Sequence, residues 1–309
     1  MLEEREEIFI CRETVRGVLL EKGSYEKKKK YSKHRSFREP MPKEGMMLQF
    51  DTSDHDWLQA RGPRIKLIGG IDDATKDVPW ALFAYQDSVE ENMAVCREIV
   101  KKKGIPLSLY VDKDSKFITT RHGVLHVRIK KEQEKTQMAR AWEELGINVI
   151  FAESPQAKGR IERLWGTFQD RLISELRLEG ISSLERANEY LHSVFLPKYN
   201  KKFTRKPKVE ESAYRIIPKG MDLDQILCIK ERRQVQGDNT ISYEAGIYQI
   251  LPTETRFGFA KAKVEVQKHL NGTTHIFYKG QELPSKPIIP VEDEQLYVLS
   301  QKEDLLVGV

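Results

Sequence analysis

The order of its apolar segments constrains this chain more than any other feature. Met46-Met47-Leu48-Gln49-Phe50-Asp51, Lys66 to Asp72 and Ala81 to Tyr85 are three short strand-like runs, with Pro63 and Pro79 in the gaps, which suits antiparallel connections. The period then changes. Ser88 and Glu91 form a capping box for a helix running to about Lys103, where Gly104 and Pro106 stop it. Leu107 to Asp112 reads as a fourth strand, Gln133 to Leu145 as a helix and Ile147 to Phe151 as a fifth strand. The helix that follows has the clearest signals, with Ser154 as N-cap and Pro155 at the first helical position. Ile161, Leu164, Trp165, Phe168, Leu172 and Leu176 recur along it at helical spacing. Ser182 and Glu185 form another capping box, opening a helix to about Phe195. A three-strand meander followed by alternating helices and strands predicts a mixed sheet with helices on its faces.

The flanks read differently. Residues 8–23 contain one amphipathic helix, with Val15, Val18 and Leu19 on one face and Gly23 as terminator. It resembles the last helix of a helix-turn-helix whose preceding helices are missing. Between Lys27 and Lys43 stand eight Lys or Arg against the single acid Glu39, so this segment exceeds the net charge of +5 for all 309 residues. Such a stretch cannot build a core. Its Lys28, Lys29, Lys30, Lys33 and Arg35 are expected to act as an arm on DNA phosphates. Beyond about residue 222 short strand runs alternate with turns, among them Gly237-Asp238-Asn239 and the hairpin signal Asn271-Gly272, which predicts a small β-barrel. The expected division is 1–24 partial helix-turn-helix, 25–45 basic linker, 46–205 catalytic core, 206–283 β-barrel and 284–309 tail.

Three acids occupy special positions in this scheme. Asp51 ends or sits in the first strand, Asp112 ends the fourth, and Glu162 lies in the first turns of the Ser154-capped helix. In a sheet of this kind strand ends and nearby helix starts converge on one edge, so the three side chains are expected to meet. Carboxylates without Cys or His suit a hard cation, Mg2+ or Mn2+. Two such ions about 3.5–4 Å apart can activate a nucleophile and stabilise the leaving oxygen in phosphodiester displacement. Most of the 47 Asp and Glu are surface charge, and it is the joint placement of these three that distinguishes them. Asp72 and Asp73 read as turn residues, the Trp165, Phe168 and Leu172 stripe as core, and Trp57 as packed beneath the site.

The order of elements is what a ribonuclease H-like fold requires, and the motifs match a family with that fold. Leu48-Gln49-Phe50-Asp51-Thr52-Ser53 with His55-Asp56-Trp57, Ile71-Asp72-Asp73-Ala74-Thr75 and Leu109-Tyr110-Val111-Asp112 carry the resemblance. Its most specific stretch is Ser154-Pro155-Gln156-Ala157-Lys158-Gly159-Arg160-Ile161-Glu162-Arg163, continuing to Leu172. On these motifs residues 46–205 resemble the integrase catalytic core of bacterial insertion-sequence transposases of the ISNCY type. The resemblance implies that Asp51, Asp112 and Glu162 are an Asp-Asp-Glu triad holding two Mg2+ or Mn2+ ions. It further implies cleavage at a transposon end, attack of the freed 3′-hydroxyl on target DNA, and assembly of a homo-oligomer on DNA. Similar proteins carry Gly where Thr52 stands, which leaves the triad intact. Lys158, Arg160, Arg163 and Gln156, grouped around Glu162, are expected to contact DNA. Two alternatives stay open: a ribonuclease H-like nuclease without strand transfer, and a truncated non-catalytic DNA-binding product. No apolar run reaches the roughly 18 residues of a membrane span. The acidic start lacks a signal core, and the three distant cysteines suggest neither disulfide nor zinc site, so a cytoplasmic location is expected.

Overall fold

A computed structural model of the chain describes residues 8–24, 39–118, 135–152, 159–254 and 256–289. The chain divides into two compact units, Met1–Glu39 and Pro40–Val309. In the first, helix α1 (Arg12–Glu21) ends where Gly23 takes a φ of 66° and Ser24 N–H returns to the Leu19 carbonyl. Its Val18 and Leu19 are exposed. Among the described residues no helix is long and apolar enough to cross a membrane.

The second unit is built on a five-stranded mixed sheet, with strands β1 (Leu48–Asp54), β2 (Lys66–Asp72), β3 (Ala81–Ala84), β4 (Ser108–Val111) and β5 (Asn148–Phe151) in the order β3-β2-β1-β4-β5. The meander β1 to β3 is antiparallel, and β4 and β5 join parallel to β1. Parallel pairing needs crossovers, which are supplied by α2 (Val89–Lys103) and, between β4 and β5, by the segment containing α3 (Gln137–Glu144). Side chains alternate across a strand, and the two faces feed two separate cores. Leu48, Phe50, Ile68, Leu109 and Val111 pack with Met93 and Ile99 of α2 and Trp142 of α3. Leu67, Ile71, Ala81 and Phe83 pack with Ile161, Leu164, Trp165, Phe168, Leu172 and Leu176 of α4 (Gly159–Leu178). Trp57 joins this second cluster and is fully buried, as its sequence suggests.

Local signals hold in part. Ser88 Oγ accepts the Glu91 N–H, and Gly104 closes α2 with a φ of 101°. The start of the next helix belongs to Thr136, whose hydroxyl accepts the Ala139 N–H. Ser183, not Ser182, caps α5 (Leu184–Tyr190) through the Arg186 N–H. That helix runs on through a π-helical turn at Leu191–Phe195 into α6 (Leu196–Phe203), where Pro197 cannot donate to the ladder. Ser154 and Pro155 lie outside the described residues.

The packing around the sheet continues past residue 205. Residues 206–228 return to the sheet: Val209 and Ala213 N–H groups bond to the Pro42 and Glu44 carbonyls, and Arg215 bridges Ile105. Tyr214 and Leu227 pack into the α2–α3 core. Tyr214, Ile217, Leu223 and Leu227 bring apolar surface that packing in this core removes from water. After α7 (Leu223–Ile226), where the sequence suggests one barrel, the ladders record two antiparallel sheets. One is β11-β10-β9-β6, from β6 (Ile229–Gln234), β9 (Lys263–Lys268), β10 (Thr274–Tyr278) and β11 (Gln281–Leu283). The other is β12-β8-β7, from β7 (Thr240–Tyr243), β8 (Gly246–Ile250) and β12 (Ser285–Ile289). Both contribute to one core around Ile241, Ile250, Val264, Val266 and Ile276. Ser285–Ile289, at the start of the stretch the sequence reads as tail, pairs with β8. An unpaired strand edge is a ready template for such pairing.

Candidate active site

The register of the sheet places the two aspartates. Leu48 pairs with Leu109 and Gln49 with Tyr110, so the same register carried two residues further sets Asp51 beside Asp112. Alternation puts both on the face covered by α4. Gln49, Asp51 and Ser53 of β1 all reach that helix, while Leu48 and Phe50 enter the opposite core. Asp112 is two residues beyond Tyr110 and follows the same parity.

Glu162 reaches the site on α4, which runs along β1. The Ile161 N–H donates to Gln49 Oε1 at 3.1 Å, Trp165 Nε1 donates to Asp51 Oδ2 at 3.1 Å, and Gln169 Nε2 donates to Ser53 Oγ at 3.4 Å. Glu162 is exposed and stands one turn before Trp165. The strand opposite Asp51 makes this approach possible. Its register partner is Gly69, where a Cβ would lie 2.9 Å from the Ala81 Cβ and 3.3 Å from the Trp165 ring. The missing side chain leaves the space over which the indole reaches Asp51. Sequence reading assigned Trp165 to the core alone. The signal it passed over is the Gly69-Gly70 pair inside a strand, which marks a close approach.

The neighbouring acids do more than turn the chain. Asp72, fully buried, accepts the Ala74 and Thr75 N–H groups and the Thr75 hydroxyl, as a turn aspartate does, and also the Gly45 N–H. Burial pushes its carboxyl above the usual aspartate range. Asp73 accepts from the Met41 N–H, Gln49 Nε2 and Arg160 Nη1, the last at 2.5 Å. Arg160, which the sequence groups with the DNA-contacting cations, is engaged with Asp73. Its guanidinium turns inward to an aspartate that is 1% exposed, because an unpaired carboxylate at that depth would be strongly destabilising. Arg163 is exposed. Lys158 and Gln156 of the same motif, and Lys28, Lys29, Lys30, Lys33 and Arg35 of the basic linker, lie outside the described residues.

A second charged group joins the turn between β3 and α2 to the residues after β4. Lys116 pairs with Asp87 and, at 3.7 Å, with Asp114. Burial works to raise the Asp87 carboxyl, but hydrogen bonds from Lys116 and Asn92 outweigh it and hold the group below its ordinary value.

In kind, Asp51, Asp112 and Glu162 suit a hard divalent cation, since every donor is a carboxylate oxygen. In arrangement, the described residues contain no group of three or more His, Cys, Asp or Glu gathered closely enough to hold a metal ion. Asp51 stands in β1, Asp112 directly follows β4, the strand beside it, and Glu162 stands on the helix that covers β1. The chemistry open to such a site is that of an anionic oxygen cluster on one sheet face, beside exposed cationic side chains.

No protein-family model matches the chain. It is 32% identical over 287 residues to a protein of Sinorhizobium fredii named "Putative transposase y4bF", a match that spans 92% of this chain and 61% of that protein. It is 29% identical over 256 residues to the transposase for insertion sequence IS1202 of Streptococcus pneumoniae, spanning 82% of this chain and 52% of the relative. This chain thus covers little more than half the length of each. Among solved structures, the simian T-cell lymphotropic virus intasome in complex with a PP2A regulatory subunit aligns over 84% of this chain and 85% of its own, at 13% identity and a TM-score of 0.44. The HTLV-2 integrase catalytic core in complex with magnesium aligns over 53% of this chain and 98% of its own, at 13% identity and a TM-score of 0.35.

Proposed function

We propose that this chain is the catalytic portion of a DNA transposase with a ribonuclease H-like core of the ISNCY type, in which Asp51, Asp112 and Glu162 form the active site. What supports the reading is the pairing of Gln49 with Tyr110, a register that continued by two residues would bring Asp51 beside Asp112, together with the Trp165–Asp51 hydrogen bond from the helix of Glu162. The relatives' names point the same way. In this reading the three carboxylates would hold Mg2+ or Mn2+, which when bound supplies charge stabilisation to a phosphodiester displacement. The chain's own contribution is placement. The sheet fixes the two aspartates, α4 supplies the third acid and Gly69 lets the helix settle close. The substrates are transposon-end and target DNA, and the working state is a homo-oligomer on DNA.

The test is strand transfer. With Mg2+ and a duplex carrying a recessed 3′-end, the chain is expected to join that end to a second duplex. Asp51→Asn, Asp112→Asn and Glu162→Gln should each abolish joining while leaving duplex binding within about twofold. Metal-dependent hydrolysis without joining would favour a nuclease. Unchanged joining in Glu162→Gln would remove that residue from the site.

A further inference from the structure

A group of cations gathers where the β2–β3 turn, the start of α4 and the end of α6 meet. Arg205 N–H donates to the Thr75 carbonyl at 2.7 Å, which sets Arg205 beside Lys76. Arg160 reaches Asp73 in the same turn, and Arg163 follows one helical turn later, exposed. Lys76 is held in a left-handed conformation, φ 64°, with its N–H on the Asp72 carbonyl. Burial, then the charges of Arg205, Arg163 and Arg160, hold its ammonium below the ordinary lysine range, so these side chains feel one another. The acids of the turn are otherwise engaged: Asp73 with Arg160, and Asp77 with Lys103 at 2.9 Å. No ion pair to a carboxylate is recorded for Lys76, Arg163 or Arg205 among the described residues. The chain beyond α6 adds to the surplus. Residues 198–208 contain Lys198, Lys201, Lys202, Arg205, Lys206 and Lys208 and no acid, and all six of these cations lie on the exposed surface.

Like charges held together on a folded surface repel, and an anion relieves that cost. We infer that Lys76, Arg163 and Arg205 form a binding site for the phosphodiester backbone of duplex DNA, continued by Lys206 and Lys208. The inference rests on the proposed function in taking DNA as the polyanion. It adds Lys76 and Arg205, which no motif in the sequence marked. The site lies at the end of α4 that carries Glu162, so a strand held there would pass that residue.

The test is the salt dependence of duplex binding by the full chain, read by anisotropy of a labelled duplex. Lys76→Asn keeps a residue that accepts the left-handed backbone, and Arg163→Ala and Arg205→Ala trim exposed side chains. Each is expected to lower the slope of log affinity against log salt by about 0.9, and the triple variant by the corresponding multiple. Lys101→Ala on α2, whose lysine pairs with Glu98, should leave the slope alone. Wild-type slopes in all three single variants would overturn the site while leaving the proposed reaction standing. A wild-type chain that binds no duplex would overturn both. Altered slopes in a protein that joins no 3′-ends would keep the site and reject the reaction.

Discussion

At the scale of single residues, the site depends on contacts that place groups rather than on the acids alone. Trp165 holds Asp51 by one hydrogen bond from a position 5% exposed. Partners behind a metal ligand typically change metal affinity or activity by about 10–100-fold when removed. Trp165→Phe keeps the ring in the core but deletes the N–H. In a strand-transfer titration it should raise the Mg2+ concentration needed for half-maximal joining by about tenfold. A lowered melting temperature with an unchanged Mg2+ requirement would mean that Trp165 only packs. Asp87 gives a pH prediction. Its folded value lies below the unfolded one, so its contribution to stability is present above the unfolded value and is lost as pH falls through the folded value. Asp87→Asn should therefore lower the urea midpoint at neutral pH, and the gap to wild type should close below about pH 4.

At the scale of elements, terminators and caps decided where helices begin and end, and packing decided the rest. Ser88 is a working cap, and Ser88→Ala should cost about 1 kcal/mol in equilibrium unfolding. Sequence signals for α2 and α4 were legible because each combines strong periodicity with a defined stop. The change at Leu191–Phe195 was not legible, since a π-helical turn inside a helix has no composition of its own. It arises where Phe195 and Tyr199 both meet Phe168, with ring centroids at 4.9 Å in each case.

At the scale of the whole molecule, the segment 206–228 ties the sheet to the β-rich portion. Arg140 of α3 donates to the Ile226 carbonyl, and Gln137 bonds both the N–H and the carbonyl of Lys230. A fragment of residues 40–205 would lose Tyr214 and Leu227 from the α2–α3 core. It should melt without a cooperative transition in circular dichroism, whereas residues 40–228 should retain one. Equal cooperativity in both fragments would show that the segment is dispensable.

Some of this was determined by the sequence alone. Residue order established three strands before α2, the α4 stripe from Ile161 to Leu176 and three candidate acids, because periodicity and strand ends are local properties. Only the tertiary structure decided what those groups do to one another. It turned Arg160 inward to Asp73, set Gly69 opposite Asp51 so that Trp165 could reach it, and brought Lys76 and Arg205 together from positions 129 residues apart. Burial and charge are sums over neighbours, and those neighbours come from distant parts of the chain.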